Sequence, residues 1–166
     1  MRKTACWLLL AVVVVACGFQ ALGAEDKTAS AGSPASPFTN FPGLPTCMKG
    51  SVQNGDPSKG GSVILAKAAT GCTVPWHRHT ATEQLMVVSG QAKVKMKDGA
   101  PASLRSGSYL SLPGSHVHQF TCLAACTFFI VSDAAFDIHY VDAAGKEISS
   151  EDALKTKADS KMRMKK

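Results

Sequence analysis

The chain has 166 residues, 45% of them hydrophobic and 18% charged, which leaves room for one ordinary domain with tails. That balance excludes a disordered polymer. The net charge of +6 sits at the ends: residues 1–24 carry +2, residues 151–166 carry +3 and the body between them only +1, which argues against a nucleic-acid-binding body.

Residues 1–24 read as a secretory signal. Arg2 and Lys3 precede the apolar run from Trp7 to Ala16, and small residues around Leu22-Gly23-Ala24 offer a cleavage site. The run falls short of the roughly 20 residues of a bilayer span. The expectation is export to the periplasm or the extracellular space, so that a membrane is met only through the signal. Val14-Val15-Ala16-Cys17 also resembles a bacterial lipobox, which would instead make Cys17 a lipidated N-terminus anchored to the bacterial envelope.

Residues 25–45 form a Ser/Pro/Gly-rich linker or extended arm. Pro34, Pro37, Pro42 and Pro45 exclude a regular helix or central strand, and Phe38 and Phe41 are placed to pack on the body. Over 46–145 short apolar segments alternate with turns. Ser62–Lys67 precedes Gly71, and Gln84–Val88 stops at Ser89-Gly90. Gln91 to Lys97 alternates Lys93, Lys95 and Lys97 with Val94 and Met96, the period of a half-buried strand, and Asp98-Gly99 is a hairpin signal. Ser108–Leu112, Thr127–Val131 and Phe136–Val141 complete the set. This pattern predicts an all-β barrel or jelly roll of two antiparallel sheets. Residues 146–166 are a basic tail, in which Ser149-Ser150-Glu151-Asp152 resembles the start of a short helix before a frayed end.

Cys47, Cys72, Cys122 and Cys126 remain in the folded part, an even count that favours disulfides in an exported chain. Leu123-Ala124-Ala125 between Cys122 and Cys126 suits a hairpin with a cross-strand bridge; Cys47 and Cys72 then pair by default, although the count alone leaves the connectivity open. A thiolate metal site is the rival reading, and no Cys-x-x-Cys pair supports it.

The chemistry concentrates in two short runs. Gly71 is followed by His77-Arg78-His79, Glu83 and Gly90; Gly107 is followed by Pro113 and His118. These resemble the two motifs of the cupin superfamily, G-x5-H-x-H-x3,4-E-x6-G and G-x5-P-x-G-x2-H-x3-N. The first matches at every defined position, while the second has Ser115 for its second glycine and Cys122 for its asparagine. Sixteen residues separate the motifs, as in compact microbial members. Phe136–Val141 also looks like the terminal strand of single-domain bacterial cupins. The resemblance implies a cupin barrel, a small-molecule ligand and one divalent transition metal held by His77, His79, Glu83 and His118; it is compatible with a homodimer.

The residues support this independently. Positions two apart on a strand share a face, so His77 and His79 both turn inward while Arg78 turns away. Glu83 has the same parity, and His118 arrives from a distant hairpin. Three imidazoles and a carboxylate suit iron, manganese, zinc, nickel or copper, and a six-coordinate ion keeps positions open for water, substrate or dioxygen. The ion outweighs the single carboxylate, which favours an anionic ligand. The register from Pro113 selects His118 over His116, which is placed at the pocket mouth. Alternation turns Leu85, Val87 and Phe120 inward as an apolar wall. His139 and Tyr140 read as structural first. Arg105, His116 and His139 are the candidates for a separate acid or base, and none can be placed by sequence. The functional classes left are a small metalloenzyme acting on a carboxylate or oxygen-rich molecule, a metal-dependent binding or sensing module, and a barrel of purely structural use tethered to the envelope through Cys17.

Overall fold

A computed structural model describes residues 36–155 of the chain. The signal, Cys17 and the basic end of the tail lie outside the described residues. The strands are β1 (Met48–Gly55), β2 (Ser62–Ala68), β3 (Thr73–Arg78), β4 (Glu83–Met96), β5 (Ala102–Arg105), β6 (Tyr109–Leu112), β7 (His118–Ser132), β8 (His139–Val141) and β9 (Glu147–Ile148). Residues 150–155 are helical, and the Ser149 hydroxyl accepts the Asp152 amide at 3.1 Å as a cap.

Every pairing is antiparallel, and two long strands shape the whole. β4 has 14 residues and β7 has 15. Straight, each would run roughly 46–50 Å at ~3.3 Å per residue; they bend instead and serve two layers. The first halves differ in partner from the second. Glu83–Met86 pairs with β6, Gln91–Val94 with β5, His118–Thr121 of β7 with β3, and Cys126–Ser132 with β2. One layer is therefore β1-β2-β7-β4-β6 and the other β5-β4-β7-β3-β8-β9. Phe120 and Phe128, one from each half of β7, face each other across the core with ring centroids 4.9 Å apart. Ile64, Ala66, Leu85, Val87, Val94 and Ile130 pack around them.

The bends correct two sequence expectations. Ser89-Gly90 does not end a strand: β4 passes through it, with Gly90 at φ 85°. Leu123-Ala124-Ala125 is likewise no hairpin turn, but the corner of the single strand β7, where the register with β4 slips between Val87 and Ala92. Short-range sequence signals for a turn and for a bulged corner are alike, because both favour small residues; at Ser89-Gly90 the glycine adopts the left-handed conformation. The terminal strand is also shorter than expected, since only His139–Val141 of 136–141 is paired.

The disulfides are Cys47–Cys72 and Cys122–Cys126, the latter joining two residues of one strand across its corner with Cα atoms 6.1 Å apart. Sequence separations of 25 and 4 give them unequal weight. Loop-closure entropy assigns roughly 3.5 kcal/mol to the former and about 2 kcal/mol to the latter. In denaturant titrations, Cys47→Ala/Cys72→Ala is expected to lose more stability than Cys122→Ala/Cys126→Ala. The second pair is expected instead to weaken metal binding, because Cys122 fixes the half of β7 that carries His118. Equal metal affinity before and after its removal would contradict that.

The arm contributes more than a tether. Thr39 bridges Gly50, Phe41 and Leu44 pack on the core, and Lys67 Nζ lies 4.3 Å over the Phe38 ring. Tyr140, 1% exposed, donates its hydroxyl to the Gly43 carbonyl at 2.8 Å and so fastens the arm to β8.

Candidate metal centre

His77 lies near the end of β3, His79 just beyond it, Glu83 opens β4 and His118 opens β7. All four are buried. One nitrogen from each of the three imidazoles falls within 4.8 Å of the others. Glu83 Oε2 stands 3.4 Å from His118 Nε2 and 3.8 Å from His79 Nε2. Arg78, between the histidines, turns outward to Glu147 at 3.0 Å.

The orientation of the rings comes from the backbone. His77 Nδ1 donates to the Pro75 carbonyl at 2.6 Å, His118 Nδ1 to the His116 carbonyl at 2.9 Å, and His79 Nδ1 to the Asp137 carbonyl. A carbonyl can only accept, so each Nδ1 carries its proton and each Nε2 offers a lone pair. This is the arrangement in which protein imidazoles bind metal. A β-bulge in β3 between Val74 and His77 supplies the Pro75 carbonyl. The connection from His79 to Glu83 is held by two aspartates: the Thr80 amide donates to Asp137 Oδ1 at 2.8 Å and the Thr82 amide to Asp133 Oδ1 at 2.9 Å.

Electrostatics agrees with the geometry. Burial, followed by the fields of His118 and His79, keeps the His77 imidazole neutral well below its usual range, against the opposing Pro75 bond. Burial alone would raise Glu83; with Nε2 of His79 and His118 protonated, the His118 hydrogen bond and the two positive charges outweigh it and lower the carboxyl, the role a cation takes over once those protons are gone. Three lone pairs and one carboxylate thus converge in a buried space. Such a set is rich in acceptors and fits a cation.

The other sequence candidates fall in different places. Leu85 and Phe120 line the cavity around the histidines; Val87 is buried in the core beyond it. The His116 ring is outside the cluster, and only its carbonyl serves the site. Arg105 is exposed on β5. His139 turns to Glu147 at 2.9 Å and Asp137 at 3.1 Å; the Glu147 hydrogen bond, opposed by partial burial and aided by Asp137, raises its pKa. Sequence reasoning missed Leu44 and Phe136, which cover the cavity, the latter with its ring 5.0 Å from that of His79. It also missed the three carbonyl acceptors, since a carbonyl has no residue signature.

Ser115 explains one departure from the second motif. It has φ 65°, the region that favours glycine, and its amide donates to the His79 carbonyl at 2.7 Å. The motif glycine and this serine therefore occupy the same left-handed turn, the serine at a steric cost. Ser115→Gly is expected to raise stability by about 0.5–1 kcal/mol, less than the full steric relief because glycine also frees the unfolded chain. A thermal or denaturant midpoint that falls would show that the hydroxyl matters more than the backbone.

Residues 64–132 match the model of the cupin domain. No curated protein matches the chain. Among solved structures, the polyketide cyclase RemF from Streptomyces resistomycificus aligns with a TM-score of 0.58 at 14% identity, over 69% of this chain and 87% of that one. An RmlC-like cupin from Shewanella frigidimarina gives 0.53 at 17%, over 64% and 88%. The DMSP lyase DddQ from Ruegeria pomeroyi gives 0.52 at 16%, over 59% and 56%. At such identities the likeness is one of fold.

Proposed function

We propose that this chain, which belongs to the cupin superfamily, is an exported metal-binding protein that works as a small metalloenzyme on a carboxylate or other oxygen-rich small molecule. The observation that carries this reading is the set of three Nδ1–carbonyl bonds, which leaves the other nitrogen of each ring free in one cluster, with the Glu83 carboxylate beside His79 and His118. His77, His79, His118 and Glu83 would hold one divalent transition ion, whose chemistry there is Lewis-acid polarisation of an oxygen on the bound molecule. The N-terminal pattern of charged start, apolar run and small residues supports export. That RemF and DddQ are named as enzymes is consistent with the reading and does not carry it.

The chain's own residues shape what can reach the centre. Leu44, Leu85, Phe120 and Phe136 form an apolar wall that keeps water from the donors. The cavity beside them is about 20 Å³, room for a single water-sized group. Only a single ligating oxygen fits that space, not a ring, and the single Glu83 charge leaves an ion-loaded centre attractive to anions.

A second reading, metal-dependent binding without turnover, is favoured by one observation. Among the described residues lining the cavity, the titratable groups are those four alone, so no separate acid or base faces the ligand. The deciding experiment is metal analysis of protein recovered from an exporting host, followed by a carboxylate panel assayed for both binding and consumption. About one equivalent of metal with consumption of a carboxylate supports the enzyme; saturable binding without consumption supports the second reading. Metal-free protein that stays metal-free on titration overturns both.

A further inference from the structure

The outer face of the layer β5-β4-β7-β3-β8 carries an open groove of about 450 Å³, separate from the buried centre. It is lined by Val117 and Val141, by the half-buried indole of Trp76, and by Lys93, Lys95 and Lys97. We propose that this groove is a second binding site, for a small ring-bearing polyanion: a sugar or flat ring carrying two or more carboxylates or sulfates.

The charge pattern separates this groove from an ordinary solvated sheet face. Acids across the strand would stabilise lysines on such a face. Here the cross-strand neighbours are neutral: Lys93 lies opposite Ser103 and Thr121, and Lys95 opposite Gln119. Among the described residues none of the three lysines has an ion-pair partner. The one acid in the lining, Asp142, spends an oxygen on the Lys146 amide at 2.9 Å. Residues two apart on one strand face repeat every ~6.6 Å, so the three lysines are rooted along ~13 Å of backbone. That length matches separate anionic groups on one or two rings and is too short for a polymer track.

The rest of the lining selects a ring. The bulge between Val74 and His77 that brings the Pro75 carbonyl to His77 also places Trp76 on the opposite face of the strand. An indole half exposed beside aliphatic side chains is a stacking surface, and its volume class is that of small-molecule pockets, roughly 300–1,000 Å³. Lysines act as mobile point charges and tolerate variation in where the anionic groups sit, unlike the fork geometry of arginine. A sugar acid and an aromatic acid share this chemistry, and the probes below tell them apart.

The test uses the chain carrying Trp7→Phe, so that Trp76 is the sole indole whether or not the signal has been removed. Its fluorescence is titrated with digalacturonate, with benzene-1,3,5-tricarboxylate, and with neutral galactobiose as control. Saturable change with one charged probe identifies its source as sugar acid or aromatic acid, and change with both supports the shared chemistry. Affinity is expected to fall roughly tenfold in Lys93→Gln/Lys95→Gln/Lys97→Gln, and severalfold in about 0.5 M salt. It is expected to persist in His77→Ala/His79→Ala, which separates this groove from the buried centre. No saturable response to either charged probe overturns the proposal. So does an equal response to galactobiose, unchanged affinity in the triple glutamine variant, or loss of binding in the double histidine variant.

Discussion

The His77→Ala/His79→Ala protein is expected to keep less than about a tenth of an equivalent of transition metal after dialysis, against about one for the parent, with its β-sheet spectrum unchanged. Two of the donors disappear, and the two that remain, Glu83 and His118, stand 3.4 Å apart at one side of the space. Ligand removal of this kind costs well over 100-fold in affinity, since even supporting partners contribute about 10–100-fold. His116→Ala makes the informative control. Its ring lies outside the cluster while its backbone carbonyl orients His118, so metal content should stay near the parent value. A double variant that retains a full equivalent would show that the ion binds elsewhere.

The second large effect is on stability. Gly90→Ala is expected to cost about 3–5 kcal/mol, measured as a shift in the denaturant midpoint with unchanged slope. Two penalties combine at this corner of β4. The backbone holds φ at 85°, which costs an L-residue about 1–2 kcal/mol, and a Cβ would press into the Ala125 carbonyl and meet Cys126 Cα at 2.7 Å. Neither obstacle is a flexible side-chain end that could swing away. Gly71→Ala supplies the contrast: it shares the left-handed φ, but nothing lies within 4 Å of its added Cβ, so it should lose only the conformational part.

The contrast between these glycines shows what the sequence reveals and what it hides. His77, His79, Glu83 and His118 were legible because a metal set needs particular side chains at a spacing that strand geometry fixes. The strand alternation of Lys93 to Lys97 was legible for the same reason. The corners were not, because Ser89-Gly90 and Leu123-Ala124-Ala125 look alike whether the chain reverses or merely bends. Only the long-range register between β4 and β7 distinguishes the two, and no local pattern encodes it. The cover of the cavity escaped as well: Leu44 and Phe136 come from irregular segments, where neither period nor motif marks a buried side chain.

The bent ribbon of β4 and β7 has a kinetic consequence. Along the pairing, Glu83 faces Ser132 at one end and Met96 faces His118 at the other, yet Glu83 and His118 meet in space because the ribbon doubles back. A cation held between them would staple the two ends of one ribbon. That staple cannot form until both layers have closed, so it stabilises the finished state and not the late barrier on the way to it. Metal should therefore lengthen the lifetime of the folded protein, seen as slower unfolding in denaturant jumps, while the rate of refolding stays close to that of the metal-free chain.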